Sequence, residues 1–535
     1  MDKPQPKFFN IAGICKPAEH YMLPVLPRIP DVSKIIEEKL FFVIHAPRQS
    51  GKTTFLITLA DKINLEGKYY AIYCSLTALR PITDDVLGMN RVVSQINGAL
   101  YSSKVDKIQN LAYKYRSSPA MDDPDFKVRM ILNAICRDLD RELIVFFDEA
   151  DCMSDSSLIT FLSQLRDGYL YRSEQPGTKF PRSIALVGMR NIRDYRAQIR
   201  PDEKSMGTAS PFNVISKTFS LANFTKDEIR TLYSQHTDAT DQVFEPSAID
   251  MAWNWSEGQP WLVNALAREV VVEQLKNDYS KVIAGSDIDQ AAETLIQRRD
   301  THIDSLLERL KELRVIRVMD AVFAGTKGKV PVNSDDRQYC IDLGLVVKNE
   351  DLSLRPSNKI YQEVFSRVIT DEIQYALVLE QNKKIWSDGK VLFMSNLLKE
   401  FQKFWRHDSR SFPFRFKDFA AFKYDEATYT FMLLAYMQRV VNNGGKVFRQ
   451  FAEDRGAIDI VALYKDHEYL VEVKLKKSYF SPSKSLEQLK GYMDTSDEKE
   501  GWLVIFDRDL KKSWDEKLTW ETQEYKGKTI HIVGC

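Results

Sequence analysis

Ala46-Pro47-Arg48-Gln49-Ser50-Gly51-Lys52-Thr53 is the stretch on which the fold turns. The apolar run Leu40-Phe41-Phe42-Val43-Ile44-His45 precedes it and reads as a buried strand. Thr54-Phe55-Leu56-Ile57-Thr58-Leu59-Ala60-Asp61-Lys62-Ile63 follows, with apolar residues every three to four positions, and reads as a helix. Strand, tight loop, Gly-Lys-Thr and helix is the context that a phosphate-binding loop requires. Backbone N–H groups and the positive end of the helix would cradle phosphates there. Lys52 would neutralise the β- and γ-phosphates, and the Thr53 hydroxyl would hold Mg²⁺. ATP and Mg²⁺ are therefore the expected cofactors, with Ala46 to Thr54 as the contact segment. Such loops usually begin with glycine where this chain has Ala46. A positive φ at that alanine would cost on the order of 1 kcal/mol, so a variant loop conformation is expected. The bland alternative is a chance Gly-Lys-Thr in a turn.

The chain has 535 residues, enough for three or four domains, and a formal net charge of zero. Any nucleic-acid surface must then be a local patch. No apolar run is long enough to span a membrane, and the first residues lack a signal-peptide pattern. The six cysteines, Cys15, Cys74, Cys136, Cys152, Cys340 and Cys535, form no Cys-x-x-Cys pair. Zinc and a disulfide framework are not expected, and the usage fits a reducing cytoplasm.

Residues 8–30 hold four prolines and several aromatics and read as an extended arm, packing on the core or on a base. Tyr69-Tyr70-Ala71-Ile72-Tyr73-Cys74 is a second strand. Leu143-Ile144-Val145-Phe146-Phe147 is a third, ending in Asp148-Glu149. Burying an unpaired carboxylate is costly, so acids at a strand end commonly serve a site at the sheet edge. Asp148 would complete the Mg²⁺ shell and Glu149 would polarise the attacking water. A solvated acidic turn is the plain alternative. Asp148-Glu149-Ala150-Asp151 also spells a helicase signature, but no second helicase-like core follows. Ser183-Ile184-Ala185-Leu186-Val187 and Lys217-Thr218-Phe219-Ser220-Leu221 complete five strands. Between them Arg190 can sense the γ-phosphate, and Arg193, Arg196 and Arg200 are either arginine fingers or a solvated loop. Alternating strands and helices imply a parallel, doubly wound sheet.

This order of motifs resembles the additional-strand P-loop ATPases, and more closely the bacterial AAA-like ATP-binding proteins. The resemblance runs through Phe9-Asn10, His20-Tyr21-Met22-Leu23-Pro24, His45-Ala46-Pro47-Arg48-Gln49 and the Asp148-Glu149 strand to Gly258-Gln259-Pro260-Trp261-Leu262-Val263-Asn264-Ala265-Leu266. It implies a helical lid and then a winged helix. Thr225 with Glu228 three residues on forms a capping box, and Gly258 and Pro260 would bend the chain toward the nucleotide or simply turn between helices. Residues 338–356 read as helix, turn and wing. The recognition helix lacks an Arg or Lys cluster, which favours docking on the lid over binding DNA.

Composition shifts after Ile369. Residues 401–425 interleave aromatics and basics, which suits nucleic acid or an amphipathic helix with a solvated face. An apolar helix from Glu426 to about Asn442 ends at Asn443-Gly444-Gly445. The strands Ala457-Ile458-Asp459-Ile460-Val461-Ala462-Leu463-Tyr464 and Tyr469-Leu470-Val471-Glu472-Val473-Lys474-Leu475 then form a hairpin around Lys465-Asp466-His467-Glu468. A symmetric turn sets Asp459 opposite Lys474, with Glu472 on the same face. Two carboxylates suit Mg²⁺, and the lysine can orient water or stabilise a pentavalent phosphate. A solvent-facing salt bridge meets the same spacing.

Asp-x₁₂-Glu-x-Lys between two helices resembles the PD-(D/E)XK nuclease superfamily over about residues 420–510, with Trp502-Leu503-Val504-Ile505-Phe506 as a central strand. The resemblance implies metal ligands at Asp459 and Glu472, a catalytic lysine at Lys474, an accessory residue at Gln488 and a first-helix acid at Glu426. Ala457 departs from it, standing where relatives carry a second basic residue. The whole chain then divides into a P-loop core (1–222), a helical lid (223–300), a winged helix (301–370) and a second α/β domain of restriction-endonuclease type (371–535). The expectation is an ATPase switch gating a Mg²⁺-dependent nuclease that acts on nucleic acid, DNA before RNA. It would work in the cytoplasm away from membranes, as a homo-oligomer or with a protein partner, in prokaryotic genome defence. A signalling or nucleic-acid-binding protein whose nuclease fold does not cut is the alternative, and a DNA-remodelling motor a third.

Overall fold

The computed structural model describes residues 5–115, 123–153, 155–174, 178–188, 215–298, 301–323, 333–376, 386–408, 427–441, 445–450, 458–476, 481–509 and 511–535. Glu426, Arg190, Arg193, Arg196, Arg200 and Ala457 lie outside these segments, so the roles expected of them have no structural description here. The chain divides into two compact units. The first is Met1–Leu295 with Asp342–Gly344, and the second is Ile296–Ile341 with Leu345–Cys535.

The first unit is built on five strands: β1 Phe41–His45, β2 Tyr70–Ser75, β3 Leu143–Asp148, β4 Ser183–Gly188 and β5 Ile215–Ser220. All pair in parallel, in the order β2-β3-β4-β1-β5. β4 thus lies between the strand feeding the loop and the strand bearing the acids. Side chains alternate across the sheet. Phe41 and Val43 join Ile72, Val145 and Phe147 in one core, under the helices Asp85–Tyr101, Lys127–Asp138 and Asp155–Glu174. Phe42 and Ile44 join Ala71, Ile144 and Phe146 in the other, under the helix Lys52–Glu66. A sheet buried on both faces needs apolar residues at every position, which is why these strands read as continuous apolar runs.

Helices Lys226–Thr240, Pro246–Ser256, Pro260–Arg268 and Gly285–Arg298 follow. The capping box at the start of the first is present: the Glu228 N–H donates to Thr225 Oγ1 at 3.2 Å, and the Thr225 N–H donates to Glu228 Oε2 at 2.7 Å. The N-terminal arm packs on these helices, with Phe9 and Tyr21 against Tyr233, His236 and Phe244.

The second unit begins with helices Thr301–Arg309, Leu313–Phe323 and Ser334–Asp342, and then β6 Val346–Lys348 and β7 Leu354–Pro356, an antiparallel pair. On Ser334–Asp342, Asp336 and Asp342 are buried, Asp336 pairs with Arg314 and Arg317, and exposed Asp335 stands against exposed Arg337, so the helix presents no basic cluster to phosphate. The helix Lys359–Ala376 runs through the composition shift at residue 369. A six-stranded mixed sheet follows, made of β8 Gly445–Gln450, β9 Ile458–Tyr464, β10 His467–Lys476, β11 Glu500–Asp507, β12 Trp520–Tyr525 and β13 Lys528–Gly534. Its order is β12-β13-β11-β10-β9-β8, with β10, β11 and β13 parallel to one another. On the helix Met394–Asp408, Phe401 is fully buried, and Phe401 and Trp405 both contact Phe506. Core packing accounts for Phe401 and Trp405, and residues 409–425 of the aromatic and basic stretch lie outside the described residues.

The hairpin register differs from the expected one. Tyr464 pairs with His467, and the turn is Lys465-Asp466, with Lys465 at φ +55°. Pairs therefore sum to 931 rather than 933, as for Val471 with Ile460. This register brings Asp459 level with Glu472, not Lys474. The shorter turn wins because Lys465 takes the left-handed conformation that a two-residue connection needs. A slip of two residues keeps every side chain on its face, so the predicted patch survives the wrong register.

Candidate nucleotide site and carboxylate cluster

The carboxyl ends of β1, β3 and β4 open together into a cavity of about 430 Å³. The loop after β1 places its positive φ values at Gln49 (+59°) and Gly51 (+91°), and Ala46 is not among such residues. The alanine therefore carries no left-handed strain, and glycine stands where the chain turns into the helix. Ser50 Oγ donates to the Pro47 carbonyl at 2.9 Å and braces the loop. Lys52 Nζ donates to the carbonyls of Ala46 at 2.6 Å and Pro47 at 2.8 Å. Burial pulls its ammonium down to about 8, with Asp148, Asp151 and Glu149 opposing.

Asp148 is buried at the end of β3. Its Oδ2 accepts from Thr53 Oγ1 at 2.7 Å and from the Tyr73 hydroxyl at 3.0 Å. Burial raises its carboxyl, while Thr53, Tyr73 and Lys52 work the other way. A hydroxyl joined to a carboxylate, both lining the cavity, is a donor set of hard oxygens that fits Mg²⁺. Glu149 follows at φ +54°, a conformation uncommon outside glycine, and its side chain is 43% exposed. Its Oε2 accepts from Thr77 Oγ1 at 3.1 Å and lies 3.5 Å from Arg80 Nη2. The lysine, hydroxyl and both acids thus line one cavity, as the sequence predicts.

Two arginines that line the same cavity stand outside the motifs of the sequence. Arg28 donates to the Ser50 carbonyl at 2.9 Å and to the Ala222 carbonyl, tying the loop to the chain after β5. Arg80 follows β2 and reaches Glu149. Neither sits in a motif, so only the fold brings them to the cavity. Pro260 and Trp261 line it too, and the Trp261 indole N–H donates to the Ile11 carbonyl at 2.8 Å. Gly258 is at φ +72°, and a Cβ there would meet the Phe224 carbonyl oxygen at 1.8 Å. The bend expected at Gly258 and Pro260 is therefore enforced by backbone contact.

The second unit gathers Asp459, Glu472 and Lys474 around β9 and β10. Asp459 Oδ2 accepts from the Val473 N–H at 2.9 Å and lies 3.7 Å from Lys474 Nζ. Lys474 donates to Glu472 Oε1. Glu472 is fully buried, and its Oε2 accepts no hydrogen bond. Burial pushes its carboxyl up, with Lys474 pulling it back. The salt bridge is therefore real but buried, not solvent-facing. Gln488 lies on the helix Pro482–Thr495, one turn before Tyr492. Burial raises the Tyr492 hydroxyl, and Glu472 and Asp459 reinforce the shift while Gln488 opposes it. Tyr492, one turn on from Gln488, is thus within electrostatic reach of both carboxylates.

Arg449 is the unforeseen member. It is 1% exposed, its Nη2 donates to Asp459 Oδ1 at 3.2 Å and to the Phe323 carbonyl, and its guanidinium lies 5.7 Å from the Phe431 ring centre. Two cations and two carboxylates balance without a metal. The unmet Glu472 Oε2 still fits a hard cation. Among the described residues, no group of three or more His, Cys, Asp or Glu side chains is arranged to hold a metal. All six cysteines are free, and no described helix is long and apolar enough to cross a membrane.

No family model matches the chain. It is 26% identical over 379 residues to the uncharacterized WD repeat-containing protein slr0143 of Synechocystis sp. (strain ATCC 27184 / PCC 6803 / Kazusa). That match covers 67% of this chain and 30% of the relative, so the chain spans less than a third of its length. Solved structures similar to it include the Walker-type ATPase PABY2304 of Pyrococcus abyssi (14% identity, TM-score 0.44, 66% of this chain and 98% of that one). The Aeropyrum pernix ORC2 protein matches at 13% identity and TM-score 0.40, over 68% of this chain and 98% of that one. The Thermotoga maritima RuvB Holliday junction branch migration motor matches at 15% identity and TM-score 0.32, over 63% of this chain and 92% of that one.

Proposed function

We propose that the first unit binds and hydrolyses ATP with Mg²⁺, and that the second carries a metal-dependent nuclease site whose activity follows nucleotide state. The convergence of Lys52, Thr53, Asp148 and Glu149 on one cavity carries the first part. Lys52 leaves its two loop carbonyls for the β- and γ-phosphates, where an ammonium is worth more than in water. Thr53 and Asp148 would hold the Mg²⁺, which would supply charge neutralisation. Glu149 orients and deprotonates the attacking water. Arg28 and Arg80 add positive charge at the rim.

In the second unit Asp459 and Glu472 would hold a divalent cation, which supplies Lewis acidity when bound. Lys474 donates to Glu472, opposing the rise that burial imposes on that carboxyl, and is the group placed to stabilise a phosphate in transit. Gln488 and Tyr492 position the cluster from the neighbouring helix. The buried Glu472 Oε2 is the observation favouring this reading. The substrate would be nucleic acid, and the ATPase would act as an oligomer or with a partner in prokaryotic defence. The observed charge balance, with Arg449 and Lys474 against Asp459 and Glu472, favours a second reading, in which the cluster braces the fold and does not cut.

The test uses single- and double-stranded DNA and RNA with Mg²⁺ or Mn²⁺, with ATP, with a non-hydrolysable analogue and without nucleotide. Cleavage lost in Glu472→Ala and Lys474→Ala supports the nuclease. Absence of cleavage under every condition supports the second reading. Cleavage unaffected by nucleotide removes the gate.

A further inference from the structure

Lys52 and Thr53 line the cavity of the first unit. The N-terminal arm and the helix Pro260–Arg268, pinned together by the Trp261–Ile11 hydrogen bond, line it as well. With its phosphates at Lys52, a nucleotide would meet arm and helix with its base. Asn264 belongs to that lining and is 7% exposed. Its Nδ2 donates to the Pro260 carbonyl at 2.8 Å. Reversing the amide would set two acceptors against each other, so the Pro260 carbonyl fixes which atom is oxygen. The Oδ1 so fixed accepts no hydrogen bond. A buried acceptor left unmet is destabilising until a donor arrives. Gln259 does not satisfy it: its Nε2, the group that could donate, has no hydrogen-bond partner, and its Oε1 accepts from the Leu262 N–H at 2.7 Å as the cap of the same helix.

We infer that Asn264 Oδ1 accepts a hydrogen bond from the exocyclic amine of adenine and is the residue that selects adenine over 6-oxopurine nucleotides. The inference rests on the proposed nucleotide site. Adenine offers an N–H donor at its 6-position. Guanine and hypoxanthine offer an oxygen there, which would face Oδ1 as a second acceptor. A site built to pair with one edge rejects the other because its buried polar atom stays unpaired.

Calorimetry of the full chain with Mg²⁺ and ATP, GTP or inosine triphosphate tests this. Wild type should bind ATP at least about tenfold more tightly than either 6-oxo nucleotide, the size of one neutral hydrogen bond plus an avoided acceptor clash. Asn264→Leu should weaken ATP several-fold, leave the 6-oxo nucleotides unchanged or tighter, and bring the ratio close to one. Equal affinities in wild type would overturn the inference without any variant, and an unchanged ratio in a folded Asn264→Leu protein would do the same. Binding of no nucleotide by wild type would instead remove the nucleotide site itself.

Discussion

Replacing Arg449 with Met removes the guanidinium from a site that is 1% exposed while keeping much of its apolar length. Asp459 then keeps the Val473 N–H at 2.9 Å and the Lys474 ammonium at 3.7 Å, but loses the Arg449 contact at 3.2 Å. Glu472 gains nothing, since Lys474 is already committed to both acids. The cluster passes from neutral to a net charge of minus one in a buried setting. Removing one partner of a buried pair costs about 3–5 kcal/mol, and the remaining donors place this case near the lower end. At about 3 kcal/mol, amides of β9 and β10 that exchange through unfolding of the unit should exchange roughly a hundredfold faster. Hydrogen–deuterium exchange reads those two strands apart from the rest of the chain. Mn²⁺ at a hundred times its dissociation constant should return about 2.7 kcal/mol to the variant, because the cation replaces the missing charge. Wild type should gain less, since Arg449 already supplies that charge. A loss under about 1 kcal/mol, or equal protection by Mn²⁺ in both proteins, would refute the charge-balance argument.

Other consequences follow from the first unit. With Lys52 at about 8, phosphates arriving beside it raise its affinity for a proton, so ATP binding at pH 8 should take up about half a proton, falling toward zero at pH 6. Calorimetry in buffers of different ionisation enthalpy measures this. Glu149→Gln should retain ATP but slow hydrolysis by about 10²–10⁴-fold, read as single-turnover phosphate release. Gly258→Ala should destabilise the helices after β5, because its Cβ would overlap the Phe224 carbonyl at a φ of +72°. A thermal shift of that unit with unchanged exchange in β9 and β10 would localise the effect.

The first unit was largely legible because its strands are buried on both faces and so stand out as apolar runs. Its loop chemistry is local in sequence, and Ala46 to Thr53 act as neighbours. The lining by Arg28 and Arg80 was not legible, since both reach the cavity only through tertiary contact. In the second unit the period of two preserved the patch of Asp459, Glu472 and Lys474 although the turn was misjudged by two residues. β12 was invisible because Trp520–Tyr525 is a mostly exposed edge strand with little apolar pattern. Arg449 was invisible for the opposite reason: arginine is almost never fully buried unless it is paired, and its partner Asp459 lies on another strand.

Titration of MgATP into wild type and Lys52→Ala is the most direct test of the central claim, that the loop between β1 and the helix Lys52–Glu66 holds the phosphates of ATP. Lys52 is the ammonium held at the loop carbonyls, 2.6 and 2.8 Å away, and it has no substitute on that helix turn. Saturable binding to wild type with no detectable heat in a folded Lys52→Ala protein is the expected result. ATP bound with equal affinity by both proteins would contradict it.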